Sequence, residues 1–200
     1  MLRIYVLAAL LCVLLSAAGF AGSNEKHKVA LHILPHESRS CSENFPVIEQ
    51  CPGIIHTYLG CGEIDVFPVF FDLIEVTALE YGLTWPAVWG NCVYTACGGD
   101  VINGNIASPG DGISHQWSSC RQVPVIIPGY AWVGIQGLGG GIAPVAHPGT
   151  GLIGTTDCDA GKDVPLGIYS AGVCGVPGDD PCCLCGTRKT TWGEIRMIFR

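Results

Sequence analysis

The sequence predicts an all-β protein: an antiparallel β-sandwich, stabilised by disulfides, with a short helical tail at its C-terminal end. Short apolar segments rich in β-branched and aromatic residues alternate with turns of Gly, Pro and Asp, at the spacing of about 8–12 residues that is typical of sandwiches. The chain of 200 residues contains 28 glycines, 13 prolines and 12 cysteines. Helical periodicity is nearly absent before the last residues. A chain of this length forms one domain or at most two small ones.

The N-terminal residues have the pattern of a cleaved secretory signal. Arg3 precedes an apolar run at 4–18, and Gly19 and Ala21 are the small residues before a cut after Ala21. The alternative is a retained signal anchor, but the run is shorter than the roughly 20 residues of a comfortable span. We therefore expect a secreted or cell-surface protein with no membrane span after signal removal. Its expected parts are a signal peptide at 1–21, a disordered segment at 22–27, a β-sandwich at 28–186 and a tail at 187–200.

The strands of the sandwich are predicted in order from residue 28. The first covers the alternating residues at 29–34, and Pro68, within a run at 64–70, predicts an edge position or a bulge. Residues 70–78 fit either a strand or a turn or two of helix. The clearest strand lies at 78–85, where large apolar residues alternate with smaller or polar ones. Later strands are expected at 101–106, 115–120, 123–127 and 130–136, between turns such as Pro109-Gly110-Asp111-Gly112 and Pro128-Gly129.

Removal of the signal peptide leaves eleven cysteines, which in an oxidising compartment indicate a disulfide framework. They are Cys41, Cys51, Cys61, Cys92, Cys97, Cys120, Cys158, Cys174, Cys182, Cys183 and Cys185. Because eleven is odd, at least one thiol is free or pairs with another chain. Cys97 and Cys120 flank the turn at 109–112, so we expect them to approach each other or one of them to pair with Cys92.

Two clusters have ligand types that metal ions use. Cys182, Cys183 and Cys185 could form a thiolate site, but zinc sites usually contain separated Cys-x-x-Cys pairs or added histidines, so disulfides are the favoured interpretation. Asp157, Asp159 and Asp163 could bind calcium through oxygen atoms. The sixth position of that loop is Lys rather than the Gly of an EF-hand, which favours a solvated acidic turn and no cofactor.

Catalytic signatures are missing from the sequence. Asp111, Ser114 and His115 supply the residue types of a hydrolytic triad, but three residues in one turn rarely reach triad geometry. The sequence contains no Gly-x-Ser-x-Gly elbow, no His-Glu-x-x-His motif and no phosphate loop. We therefore expect a protein that is not an enzyme. A hydrolase with an unrecognised site remains an alternative, and it needs a cleft in which His115 or His147 meets a carboxylate.

Tryptophans suggest a second alternative, a carbohydrate-binding module. Trp85 and Trp132 lie in alternating patterns and are expected in the core. Trp89 and Trp117 lie in a loop and between polar residues, where an exposed ring could stack on a sugar face. Tryptophans of cysteine-rich domains are more often buried against disulfides, so carbohydrate binding is kept as an alternative and is not the favoured function.

Charge separates the body of the chain from its tail. The whole chain has 10 Lys and Arg against 17 Asp and Glu, a net charge of −7 that argues against nucleic-acid binding. In the tail, Thr191 and Glu194 have capping-box spacing, and Trp192, Ile195 and Phe199 fall on one helical face. The tail either folds back on the sandwich or contacts a protein partner or another copy of the chain.

Three segments resemble a group of exported bacterial proteins of no established activity. They are Glu80-Tyr81-Gly82-Leu83-Thr84-Trp85-Pro86, the turn at 109–112 followed by Trp117, and a terminus of the form Thr-Thr-Trp-Gly-x-Ile-basic at 190–196. The layout is also similar to immunoglobulin-like and cohesin-like sandwiches, a likeness that does not imply a function. The expected function is that of an exported, disulfide-bonded, non-enzymatic β-domain with a structural, surface or adhesive role.

Overall fold

The computed structural model describes residues 22–49 and 53–181, and these form the predicted all-β fold of two sheets packed face to face. The signal peptide, Cys51, the cysteines at 182–185 and the tail with its expected helix lie outside the described residues. The strands are β1 (Lys28–Pro35), β2 (Thr57–Tyr58), β3 (Glu63–Phe71), β4 (Val76–Thr84), β5 (Gly90–Ala96), β6 (Val101–Gly104), β7 (Gly112–Arg121), β8 (Val125–Ile126), β9 (Gly129–Gly134), β10 (Gly140–Val145), β11 (Gly154–Thr156), β12 (Lys162–Asp163), β13 (Gly167–Tyr169) and β14 (Ala171–Val173).

The first sheet has the order β13-β1-β3-β9-β5, and β8 also pairs with β3. All of its pairings are antiparallel except the short parallel contact between β1 and β13. Pro68, predicted at an edge or bulge, lies in the central strand β3. On one side it is paired with Leu31 of β1; on the other side, β3 changes partner from β9 at residues 63–66 to β8 at 70–71. The proline therefore lies where one ladder is interrupted, and its missing N–H is tolerated there.

The second sheet is built around β4. One edge of β4 pairs with β7, which pairs with β6, while the other edge pairs with β10 and then with β11. β10 continues to β14 and β2, and β11 to β12. The turn before β7 contains Gly110 with φ of 92°, a conformation that glycine adopts without strain.

The main core lies between the two sheets. It takes Val29 and Leu31 from β1 and Ile64 and Val66 from β3, and it takes Leu79, Tyr81 and Leu83 from β4. The alternation predicted for residues 78–85 is thus the inward face of the second sheet. Burying each such side chain stabilises the fold by about 1.5–3 kcal/mol.

The outer face of the first sheet is also covered. Ala30 and Val69, which point away from the main core, pack with Ile48 and Ile54 in a second cluster. The covering chain at 36–56 contains no strand in its described part, and it also brings the ring of Phe45 within 5.6 Å of Phe67. Strands β1 and β3 are therefore buried on both faces.

Residues 22–27 are ordered, contrary to the expectation of a disordered segment. Asn24 is 1% exposed and His27 is fully buried. The Asn24 side-chain oxygen accepts hydrogen bonds from the backbone N–H groups of Ile74 and Glu75. Backbone hydrogen bonds to side chains, which leave no hydrophobic pattern in the sequence, hold this segment in place.

Three disulfides connect the described residues: Cys41–Cys97, Cys61–Cys174 and Cys120–Cys158. The expectation that Cys97 and Cys120 approach each other, or that one of them pairs with Cys92, is therefore wrong. The physical reason is that Cys97 follows β5 of the first sheet, whereas Cys120 ends β7 of the second sheet. Cys97 instead pairs with Cys41 of the segment after β1, and Cys120 pairs with Cys158 of the loop between β11 and β12.

Helix is nearly absent from the fold. Across residues 22–49 and 53–181, the backbone forms no α-helix, and the structure shows no helix with the length and hydropathy of a transmembrane span.

Candidate functional site

A polar groove lies on the outer face of the second sheet, where β4, β7 and β6 run side by side. Side chains alternate along these strands, so Tyr81 and His115 point into the core while Glu80, Ser114 and Gln116 line the groove. The groove has a volume of about 520 Å³. Its lining is completed by Asn103, Gly104, Asn105, Asp111, Gly112, His147, Pro148 and Thr150.

Glu80 contributes the main charge at the inner wall of the groove. Its Oε1 atom lies 3.9 Å from Nζ of Lys162, and its side chain is 17% exposed. Its Oε2 atom is buried, and no donor in the described part of the chain hydrogen-bonds to it. Because this oxygen has almost no accessible surface, a ligand in the groove does not reach it in this conformation.

Asp111, which also lines the groove, holds the neighbouring turn through hydrogen bonds. Its Oδ2 atom accepts hydrogen bonds from the backbone N–H groups of Ala107 at 3.1 Å and Ser108 at 2.8 Å. These bonds close the turn between β6 and β7. The groove therefore offers carboxylate, amide and hydroxyl groups on a rigid sheet, a combination suited to binding a polar ligand.

The two histidines that the hydrolase alternative requires contact backbone atoms. His115 is fully buried, with Nδ1 at 2.5 Å from the carbonyl oxygen of Gly98 and Nε2 at 3.1 Å from the hydroxyl of Tyr94. Burial lowers the pKa of His115 below its ordinary value, although the contact with Gly98 raises it in part. His147 accepts a hydrogen bond from the N–H of Gly149 at Nδ1. Ser114 and His115 point to opposite faces of β7, so they do not form a triad with Asp111.

A histidine–carboxylate pair that the sequence did not suggest lies at the start of β3. Asp65 is fully buried; its Oδ1 is 2.8 Å from Nδ1 of His36, and its Oδ2 is 2.7 Å from Nε of Arg39. The His36 ring stacks on Trp132 at 4.6 Å. Both oxygens of Asp65 are thus occupied by the segment after β1, which they anchor against the first sheet. The only sequence signal was that Asp65 lies between apolar residues within a strand.

The tryptophans do not form an exposed platform within the described residues. Trp89 is 5% exposed, and its Nε1 donates to the carbonyl oxygen of Leu138, so its predicted role as an exposed ligand contact is wrong. The loop that carries it folds onto the main core, as the apolar character of the ring favours. Trp117 is half-buried and stacks beside His115 at 6.4 Å. The candidate contacts Trp192, Ile195 and Phe199 lie outside the described residues.

The acidic loop between β11 and β12 is closed by its own backbone. Oδ1 of Asp157 accepts hydrogen bonds from the N–H groups of Asp159 at 3.0 Å and Gly161 at 2.6 Å. The second oxygen of Asp157 and both oxygens of Asp163 accept N–H groups of residues 22–24. Asp159 is exposed. The three carboxylates proposed for calcium therefore have different environments, and two of them act as backbone acceptors.

Cys92 is the free cysteine of the described part of the chain. Its Sγ lies 3.2 Å from the carbonyl oxygen of Ile106, and burial raises the pKa of its thiol to about 12. Cys120 and Cys158 lie beside Glu75 in a group with metal-ligand spacing, but the two sulfurs are bonded to each other. Thiolate chemistry is thus disfavoured at each of these positions.

Comparisons of the chain with protein-family models, with curated proteins and with solved structures find no match.

Proposed function

We propose that the protein is an exported β-domain that acts outside the cell without catalysis, in a structural, surface or adhesive role. The observation that carries this proposal is the placement of the three disulfides. Cys41–Cys97 fastens the chain that covers the first sheet, Cys61–Cys174 joins the start of β3 in the first sheet to the end of β14 in the second, and Cys120–Cys158 ties the loop before β12 to β7. Such bonds persist in oxidising compartments.

The role without catalysis is supported by how the reactive side chains are used. His115 is held by a backbone carbonyl and a tyrosine hydroxyl, and Asp65 is held by Arg39 and His36. The thiol of Cys92, whose pKa is raised by burial, is a poor nucleophile at neutral pH. In this proposal these groups stabilise the fold, while the partner is another protein or another copy of the chain that contacts the tail at 187–200.

The proposal is tested by following the tagged full chain in its source cell. We expect the protein in the exported or surface fraction, oxidised, with the three described bridges recovered by peptide mapping without reductant. Deletion of residues 190–200 is expected to leave the melting temperature unchanged and to abolish the normal location. A reduced protein in the cell interior overturns the proposal.

Glycan binding in the polar groove is a second candidate, favoured by the amide and hydroxyl side chains that line it beside Glu80 and Asp111. In this case the groove, and not a tryptophan platform, holds the sugar hydroxyls. A glycan pull-down tests it: Glu80→Ala and Gln116→Ala should each reduce capture. Capture that is equal in both variants and in the parent excludes the groove.

A further inference from the structure

The amino end of the described chain is seated against two carboxylates of the second sheet. The backbone nitrogen of Gly22 lies 2.8 Å from Oδ1 of Asp163, and the nitrogen of Asn24 lies 2.9 Å from Oδ2 of the same side chain. Between them, the nitrogen of Ser23 donates to Oδ2 of Asp157 at 2.9 Å. Three consecutive backbone nitrogens therefore converge on two acidic side chains.

The two carboxylates are buried without a cationic side chain. Asp157 is 4% exposed and Asp163 is 6% exposed. Among residues 22–49 and 53–181, no lysine, arginine or histidine forms a salt bridge with either of them, and Lys162 lies instead beside Glu80 with 61% of its side chain exposed. Burying two like charges is costly unless a cation offsets them. Backbone N–H groups satisfy the oxygens of both carboxylates, and a positive charge on the Gly22 nitrogen would offset their negative charges further.

Gly22 fits this place because it has no side chain. A Cβ atom on Gly22 would lie 2.8 Å from Oδ2 of Asp157 and would contact Oδ2 of Asp163. Gly161, across the pocket, is equally close, since a Cβ there would lie 2.9 Å from the Cα of Gly22. The contact of the Gly22 nitrogen with Asp163, and the packing of Gly22 beside Asp157, thus depend on glycine at two positions.

The signal-peptide cleavage expected from the sequence lies immediately before Gly22, so it would create a positive charge beside the two carboxylates. We propose that a signal peptidase cuts between Ala21 and Gly22 and that the new terminal ammonium of Gly22 is the counter-ion of Asp157 and Asp163. Water hydrolyses the amide bond: its oxygen becomes part of the Ala21 carboxylate, and the Gly22 nitrogen takes up protons to become an ammonium. This inference rests on the proposed export, and it makes processing a step that stabilises the mature fold.

The test compares the exported protein from the full chain with that from a chain carrying one alanine inserted between residues 21 and 22. Mass spectrometry is expected to find Gly22 as the first residue of the parent and the inserted alanine as the first residue of the other form. In the second form the charge is displaced from the acids, so we expect its unfolding equilibrium constant at pH 6 to be at least tenfold larger, which corresponds to about 1.4 kcal/mol.

High pH supplies a second readout. The titratable groups around Gly22 are Asp157, Asp159, Lys162 and Asp163, with His27 in the same segment. An ion pair with the acids raises the pKa of the terminal ammonium above its ordinary value of about 7.7–8.0. Its stabilisation is present below that range and is lost as pH rises through the raised value. At pH 10.5 the two forms should therefore differ less than about twofold, by the same linkage.

Two variants complete the test. With Asp163→Asn the alanine insertion should change the unfolding constant less than twofold, whereas with Asp159→Asn, an exposed residue of the same loop, the tenfold effect should remain. If Asp163→Asn fails to fold, the comparison between pH 6 and pH 10.5 decides alone. If the exported protein begins at Gly22 but the alanine insertion leaves its unfolding equilibrium constant unchanged, this inference is overturned and the proposed function is not. A chain that stays in the cell with residues 1–21 attached overturns both.

Discussion

The hydroxyl of Tyr81 lies 2.6 Å from the hydroxyl of Tyr94, and this contact joins the two sheets inside the core. Tyr81 belongs to β4 of the second sheet and Tyr94 to β5 of the first. The Tyr94 hydroxyl also lies 3.1 Å from Nε2 of His115, which in turn reaches the carbonyl of Gly98 through Nδ1. Burial raises the pKa of both tyrosines, so the hydroxyls stay neutral at physiological pH. The chain of contacts fixes how the sheets are placed against each other.

Tyr94→Phe tests this polar connection. The substitution leaves the Tyr81 hydroxyl and Nε2 of His115 without their partner, so we expect the free energy of unfolding to fall by about 1–3 kcal/mol in urea titrations. Tyr169→Phe is the matched control, because its hydroxyl has no hydrogen-bond partner among the described residues, and it should cost less than about 0.5 kcal/mol. Equal losses in the two variants would show that the network contributes nothing specific.

Asp65→Asn tests the buried anchor of the chain that covers the first sheet. Both partners are buried, with Asp65 fully buried and Arg39 6% exposed, so loss of the counter-charge should reduce the free energy of unfolding by about 3 kcal/mol or more. Asp72→Asn removes an ion pair of similar length, 2.6 Å to Nζ of Lys28; the Lys28 side chain is 10% exposed, but that of Asp72 is 51% exposed, so water screens this pair. That control should cost less than about 1 kcal/mol. The prediction fails if Asp72→Asn lowers the free energy of unfolding as much as Asp65→Asn does.

The alternation of Leu79, Tyr81 and Leu83 was enough to place β4, because a strand with one face in the core repeats every two residues. The same rule cannot assign strands to sheets. β5 and β6 follow each other in the chain but belong to different sheets, and this crossing separates Cys97 from Cys120. Disulfide partners depend on that three-dimensional arrangement.

The candidate sites were harder to predict because they depend on backbone hydrogen bonds. Asp157 and Asp163 were expected in a solvated acidic turn, with calcium binding as the alternative, since the sequence shows carboxylates but not the amides that reach them. Trp89 looked exposed because its neighbours are those of a loop, yet the loop folds onto the core. Asp65 was overlooked because its partners, His36 and Arg39, lie more than about 25 residues away in the chain, beyond any local pattern.

Loss of a disulfide should destabilise the protein according to the length of chain that it closes. Cys61–Cys174 spans 113 residues and Cys120–Cys158 spans 38. In the chain-entropy description, replacing both cysteines by serine costs about 5 kcal/mol for the first bridge and about 4 kcal/mol for the second. Urea unfolding of each double variant measures these losses. A bridge whose removal leaves the midpoint unchanged has no stabilising role.

Cys92 should be unreactive in the folded protein. Burial raises the pKa of its thiol to about 12, whereas a free cysteine has a pKa near 8.5. Alkylation at pH 8 should therefore be at least about 100-fold slower in buffer than in urea, because the thiolate is the reactive form. Peptide mapping assigns the label to Cys92 and separates it from other free thiols. Similar rates in buffer and urea would mean that the thiol is accessible and ionised.

Buried histidines should make the fold sensitive to mild acid. Burial lowers the pKa of His27, His32 and His115, and for His32, which Arg39 also affects, the value is about 4. In the unfolded chain these groups titrate near pH 6.5, so between about pH 6.5 and 4 the unfolded state binds more protons. The contribution of these histidines to the free energy of unfolding is therefore complete above about pH 6.5. It is lost as the pH decreases towards 4, and His32 accounts for about 3 kcal/mol of the loss.

His32→Asn isolates this contribution. In the parent, Nδ1 of His32 accepts a hydrogen bond from the N–H of Ile55, and the side-chain oxygen of asparagine can take over as acceptor without titrating. The variant should be less stable than the parent at pH 7 but should lose about 3 kcal/mol less between pH 7 and pH 4, as measured by urea unfolding at four pH values. Ile33→Val, at the next buried position, should lower stability by about 0.5–1.5 kcal/mol at every pH and keep the parental slope. If the curves of His32→Asn and the parent run parallel, His32 does not titrate with folding, and the acid sensitivity must arise from other groups.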